Sequence, residues 1–208
     1  MSFRKEKKLK LSKFEFNKLK STLIEDGMTS LYPRRVITSK YFDTSDYRIF
    51  QDSEEGVLPR KKIRVRWYDE KEIFFEIKIS SIEGRFKTSS LIDKAYLINL
   101  ETRGYLDRDY GLVYPKILIE YLRSYYIYKK MRITFDENIT YFSNNFHKYQ
   151  KSRDLEVVVE IKTSMDLSDE YIQKNFSHIT SRFSKYCRGI NSLLLELYYF
   201  MAKQFSFI

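Results

Sequence analysis

The chain has 208 residues and carries 38 Lys and Arg against 28 Asp and Glu, a formal net charge of +10. Hydrophobic residues make up 43% and aromatics 17%, which excludes intrinsic disorder, and the basic balance points to an anionic partner: nucleic acid, an anionic membrane or a phosphorylated small molecule. With 6 Gly and 3 Pro there are few linkers, so one domain over residues 1–208 is expected, and the single Cys187 excludes an internal disulfide and fits a cytoplasmic chain.

Phe3 to Leu11 reads as a strand, charged throughout and without the apolar stretch of a signal peptide. Ser12 is placed to cap a helix through Glu25, with Phe16, Leu19, Leu23 and Ile24 near helical spacing and Gly27 ending it. Arg35 to Asp43, Lys61 to Tyr68 and Ile73 to Ile79 are rich in β-branched and aromatic residues and predict strands. Asp69-Glu70-Lys71-Glu72 is a short polar connection suited to a hairpin. Leu91 to Arg103 predicts a helix ending at Gly104, then strands over Lys116–Tyr125, Lys130–Asp136 and Leu155–Lys162. The polar stretch Tyr141 to Arg153 predicts a mobile loop. Ser168 is placed to cap a helix carrying Ile172, Phe176, Ile179 and Phe183 on one stripe, and a last helix starts near Ile190. Its apolar stretch from Leu193 is broken by Glu196, Lys203 and Gln204 and falls short of the roughly 20 apolar residues that span a bilayer, so no transmembrane segment is expected. Strands outnumber helices without strict βαβ alternation, which predicts an α+β fold.

The informative pattern lies at every second residue, because alternate side chains share a strand face. Lys62, Arg64, Arg66 and Tyr68 oppose Ile63, Val65 and Trp67, and Glu76 and Lys78 oppose Phe75, Ile77 and Ile79. Arg132, Thr134 and Asp136 oppose Met131, Ile133 and Phe135, while Glu156, Glu160 and Lys162 oppose Val157, Val159 and Ile161. Arg4, Glu6 and Lys8 share a face of the first strand, although Lys5 and Lys7 break its other face. A sheet with one solvated face explains any one of these strands. Side by side, such faces repel unless an anion or interleaved carboxylates neutralise them. A closed antiparallel barrel, with charged faces inward around a ligand and apolar faces outward against helices, satisfies both demands. Guanidinium and ammonium groups bind phosphate oxygens through charge-assisted hydrogen bonds. Glu6, Glu76 and Glu160 either pair with lysines or hold a hard divalent cation. Phosphoryl transfer needs little beyond positioning and charge neutralisation.

The motifs carrying these charges run in order: Arg4-Lys5-Glu6-Lys7-Lys8, Tyr41-Phe42-Asp43-Thr44 with Tyr47-Arg48, Ile63-Arg64-Val65-Arg66-Trp67-Tyr68, Phe75-Glu76-Ile77-Lys78, Tyr121-Leu122-Arg123, Arg132-Ile133-Thr134-Phe135-Asp136, Glu160-Ile161-Lys162 and Arg182-Phe183-Ser184-Lys185-Tyr186. In this order the sequence resembles the VTC domain, the polyphosphate polymerase catalytic domain within the CYTH or triphosphate tunnel metalloenzyme superfamily. The resemblance implies an eight-stranded antiparallel tunnel and a Mn2+- or Mg2+-dependent transfer of the γ-phosphate of ATP onto inorganic polyphosphate. It implies Lys8, Arg64, Arg66, Lys78, Arg123 and Arg132 as catalytic cations. Arg48, Lys62, Tyr121, Lys162, Arg182 and Lys185 would bind substrate, and Glu160 with Glu6 would hold the metal. The chain resembles stand-alone members, without the membrane segment or the inositol-phosphate-sensing domain of the eukaryotic version. A triphosphatase of the same fold and a non-catalytic polyphosphate-binding module are the alternatives.

Other residues carry less. His147 and His178 have no partner at metal-ligand spacing, and Cys187 reads as a packed thiol. Trp67 lies on an apolar face, and aromatics on apolar faces argue against a nucleic-acid-binding sheet. There is no P-loop, so phosphate recognition falls to side chains.

Overall fold

The computed structural model describes residues 4–69, 72–143 and 151–205. Phe3, the Glu70-Lys71 part of the predicted hairpin, residues 144–150 with His147, and residues 206–208 lie outside that description. In chain order the elements are β1 (Arg4–Leu11), α1 (Lys13–Glu25), β2 (Thr29–Asp43), α2 (Arg48–Glu55), β3 (Arg60–Tyr68), β4 (Glu72–Ser81), β5 (Gly84–Ile92) and α3 (Lys94–Arg103). They continue with β6 (Tyr105–Asp107), β7 (Gly111–Tyr128), β8 (Met131–Ser143), β9 (Lys151–Arg153), β10 (Val157–Ser164), α4 (Asp169–Asn175) and α5 (Lys185–Phe205). The α+β class holds, with antiparallel pairing of β1 with β10, β10 with β8, β2 with β3, β3 with β4 and β4 with β5. The strands pair in the order β1-β10-β8-β7-β2-β3-β4-β5, with β6 on β7 and β9 on β8. Among the described residues this path is open: β1 and β5 end it and do not pair with each other. The closed barrel expected from the charge pattern, and the eight-stranded tunnel that the resemblance implies, are therefore corrected to an open antiparallel sheet whose path ends in two edge strands. Charge alternation reports which face a residue takes, not which strands meet at a seam.

Packing divides the chain into two compact units. Unit 1 comprises Met1–Val36, Tyr121–Ile139 and Asp154–Phe183; unit 2 comprises Ile37–Glu120, Thr140–Arg153 and Ser184–Ile208. In unit 1, α1 presents Phe16, Leu19 and Leu23 to Leu9, Leu11, Ile133, Phe135, Val159 and Ile161 in one apolar core. The predicted capping box is present: Ser12 Oγ accepts from the Glu15 amide while the Glu15 carboxylate accepts from the Ser12 amide. The helix predicted after Ser168 is shorter than its apolar spacing suggests. It ends at Asn175, Ile179 is exposed, and Phe183 is buried from a segment outside any helix.

In unit 2 the Tyr41-Phe42-Asp43-Thr44 motif serves the fold. Asp43 is fully buried and accepts from the amides of Thr44, Ile49 and Phe50, while Thr44 Oγ1 accepts from the Arg48 amide. These bonds satisfy the orphan donors at the start of α2, whose own N-cap, Tyr47, adopts a left-handed conformation and offers no side-chain cap. The Tyr186 hydroxyl of α5 also donates to Asp43, tying α5 to the same carboxylate. Close packing continues at Gly189, where a Cβ would meet Ile117 Cδ1 at 2.5 Å and the Tyr141 ring at 2.6 Å. Burial pushes the Cys187 thiol up, as a packed rather than a reactive cysteine requires.

Candidate functional site

Among the described residues, each unit carries a charged cluster built across paired strands. In unit 2 the ladders set charged residues in rows across β3, β4 and β5, because directly paired residues share a face. Lys62, Lys78 and Lys87 form one row, Arg64, Glu76 and Ser89 the next, and Arg60, Ser80 and Arg85 a third. Tyr41 and Ser39 of β2 extend the rows of Arg64 and Arg66. The face thus sets Arg60, Lys62, Arg64, Arg66, Lys78, Arg85 and Lys87 against Glu76, with Glu72 at the strand end.

Glu76 is the hub. It accepts from Arg64 Nε at 2.7 Å, pairs with Arg64 Nη2 at 2.6 Å and forms an ion pair with Lys87. Burial would raise its pKa, but Arg64, Arg66 and Lys87 outweigh burial and bring it to about 2. Arg64 Nη1 donates to the Tyr41 hydroxyl at 2.8 Å, and Arg66 Nε donates to Ser39 at 3.0 Å. Tyr41 is buried and stacked on Tyr186. Burial would raise its phenol too, yet Arg64, Arg66 and Lys62 win and bring it from 10.0 to about 7. Lys62 Nζ donates to Ser184 Oγ at 2.7 Å, and Lys185 opens α5 beside that serine.

The cluster of unit 1 is differently composed. Lys8 pairs with Glu160 across β1 and β10, and Glu6 pairs with Lys162. Across β10 and β8, Glu160 faces Thr134 and Lys162 faces Arg132. Arg123 of β7 forks onto Asp136, with 2.6 and 2.7 Å contacts, and reaches Glu160 at 3.6 Å. Lys162 contacts Glu160 at 2.6 Å and Glu6 at 3.9 Å, and Lys8 contacts Glu6 at 3.3 Å. Burial would raise the Glu160 carboxyl, but Arg123, Lys162 and Lys8 hold it well below the usual carboxylate range. Burial conversely disfavours the Arg123 cation, and Asp136 with Tyr121 and Glu160 more than compensates. Tyr121 is buried with the Arg123 guanidinium 5.3 Å over its ring.

The structure therefore gathers Glu6, Lys8, Tyr121, Arg123, Arg132, Glu160 and Lys162 in unit 1, and Lys62, Arg64, Arg66 and Lys78 in unit 2. Arg48 stands apart from the strand pattern: it opens α2, is exposed, and lies 5.8 Å over the Tyr110 ring. Arg182 is exposed in the segment before α5. Sequence reasoning missed Arg85 and Lys87, because β5 shows no apolar alternation, and it placed Tyr41 and Ser184 in motifs without assigning them a role, since their polar partners come from distant segments.

Among the described residues no group of three or more His, Cys, Asp or Glu converges as a metal site. Manganese- and magnesium-type ions in phosphate chemistry often take only one or two carboxylates, with water and substrate phosphates completing the shell. Glu160 and Glu6, both in contact with Lys162, meet that smaller requirement, and Glu160 is held ionised.

The fold has relatives among solved structures. A "putative adenylate cyclase" from Bacillus halodurans matches at a TM-score of 0.59 with 16% identity, over 88% of this chain and 94% of that one. The Hippeastrum protein described as a "putative adenylyl cyclase" with a dominant triphosphatase activity matches at 0.55 with 14% identity, over 91% and 96%. A conserved hypothetical protein from Pyrococcus furiosus matches at 0.56 with 13% identity, over 89% and 99%. At these identities the likeness is one of fold. A comparison with curated proteins finds no match. The VTC domain, in contrast, matches residues 3–105 and 99–194. Those residues include every charged strand described above, and the chain belongs to the VTC domain family.

Proposed function

We propose that this chain is a polyphosphate polymerase, transferring the γ-phosphate of ATP onto a growing inorganic polyphosphate chain. The observation that carries the reading is the cation excess on β3–β5, where three lysines lie in one cross-strand row and a bound polyanion would relieve their mutual repulsion. In this reading Lys62, Arg64, Arg66, Lys78 and Lys87 hold phosphate oxygens, with Lys185 at the start of α5 joining them. In unit 1, Lys8, Arg123, Arg132 and Lys162 neutralise phosphoryl charge, while Tyr121 supports Arg123 from below. Arg182 and Arg48, both exposed, serve the approach of anionic substrate. Glu160, with Glu6, would hold Mn2+ or Mg2+, and the ion would supply further neutralisation of phosphate oxygens. Preset cations in a partly dehydrated site stabilise the spread negative charge of phosphoryl transfer without reorganising. No helix among the described residues is long and apolar enough to cross a membrane, so product is proposed to form without a spanning helix from this segment.

A triphosphatase is the second reading, favoured by the shared fold with the Hippeastrum protein, for which that activity is described as dominant. Incubating the protein with ATP and manganese distinguishes them. The polymerase yields ADP and a ladder of long polyphosphate on a gel. Orthophosphate alone identifies a triphosphatase, and salt-sensitive polyphosphate binding without ATP consumption identifies a binding module.

A further inference from the structure

We propose that the Thr134 hydroxyl is a phosphate-binding group of the unit 1 cluster, an inference that rests on the phosphate-handling role proposed above. Thr134 Oγ1 and Arg132 Nε are both buried, and neither has a hydrogen-bond partner among the described residues. They lie two residues apart on β8 and so share one strand face. The register sets Thr134 directly across from Glu160 and Arg132 directly across from Lys162. The groups around them are already engaged. Lys162 contacts Glu160 at 2.6 Å, and Arg123 is forked on Asp136.

Thr134 is only 5% exposed. A hydroxyl left unpaired at such a depth lowers stability, and valine would fill the same space without that cost. The core on the opposite face of β8, at Ile133 and Phe135, gives no reason for a hydroxyl on this one. Two unpaired donors on one face suit a tetrahedral oxyanion: Arg132 Nε–H donates to one phosphate oxygen and the Thr134 hydroxyl to another. Both bonds are charge-assisted and form only when the phosphate is present.

The test uses the whole chain without metal, with inorganic tripolyphosphate as the probe, read by titration calorimetry and by thermal unfolding. Thr134→Val is expected to melt above the wild type in the absence of tripolyphosphate and to bind it about tenfold more weakly. Thr134→Ser, which keeps the hydroxyl, is expected to bind as the wild type does. A Thr134→Val protein that melts lower would show that the hydroxyl serves the fold, and would overturn the inference. Unchanged binding in Thr134→Val, beside clear binding by the wild type, would overturn it while leaving the proposed function intact. No binding by the wild type would remove both together.

Discussion

The charged faces of the two units solve the same electrostatic problem in different ways. In unit 1, Lys8, Arg123, Arg132 and Lys162 are interleaved with Glu6, Asp136 and Glu160, and nearly every cation is answered by a carboxylate of the protein. In unit 2, the cations of β3, β4 and β5 outnumber Glu76 and Glu72, and lysine stands beside lysine across two ladders. A compensated cluster is part of the fold, because each charge depends on its internal partner. A face whose cations exceed its carboxylates stores repulsion that an external polyanion removes. The difference assigns separate tasks: unit 1 fixes a structured constellation around Glu160, and unit 2 offers the open demand for negative charge.

The largest effect that probes this difference is in unit 1. Asp136 is fully buried and takes both prongs of Arg123. Asp136→Asn removes the carboxylate charge and one of the two acceptor oxygens facing that partly buried guanidinium, and is expected to cost about 3–5 kcal/mol of stability in urea unfolding. A loss below about 1 kcal/mol would mean that the cluster is solvated like a surface pair, and the contrast would fail.

A smaller effect reads the cation excess of unit 2 directly, with Tyr41 as the reporter. Its folded pKa of about 7 lies below the ordinary 10.0, so the unfolded chain holds the proton where the folded chain has released it. Tyr41 therefore adds stability that is complete above pH 10, grows between about 7 and 10, and is lost as pH falls through about 7. Ultraviolet difference titration of the wild type against Tyr41→Phe should show one phenol ionising near neutrality. Tripolyphosphate should move that ionisation upward, because the anion neutralises the cations that depress it. A phenol that titrates near 10 without tripolyphosphate would show that these cations do not act together.

Much of this was legible from the sequence where one strand face is buried and the other charged. Lys62 to Trp67 and Arg132 to Asp136 alternate cleanly, and the structure places them as strands with those faces. β5 was not legible, since Gly84 to Ser90 is exposed on nearly every residue and a strand without a buried face has no period to read. Arg85 and Lys87 were missed with it. α2 escaped for another reason: its capping groups, Asp43 and Thr44, stand before a left-handed Tyr47 instead of at the helix start. The stripe from Ile172 to Phe183 has helical spacing, but only its first part forms a helix, because Phe183 is buried from a segment outside any helix. The open ends of the sheet were beyond any local pattern, since strand closure depends on residues far apart in the chain.

The central claim is that the cation-rich face of β3–β5 exists to take a polyanion. Its most direct test is tripolyphosphate titration of the metal-free protein beside a Lys62→Ala, Lys78→Ala, Lys87→Ala triple variant, at low and high salt. The wild type should bind with an affinity that falls as salt rises, and the triple variant should bind far more weakly while melting at or above the wild-type temperature. A folded triple variant that binds as tightly as the wild type, or one that unfolds for want of its lysines, would contradict the account.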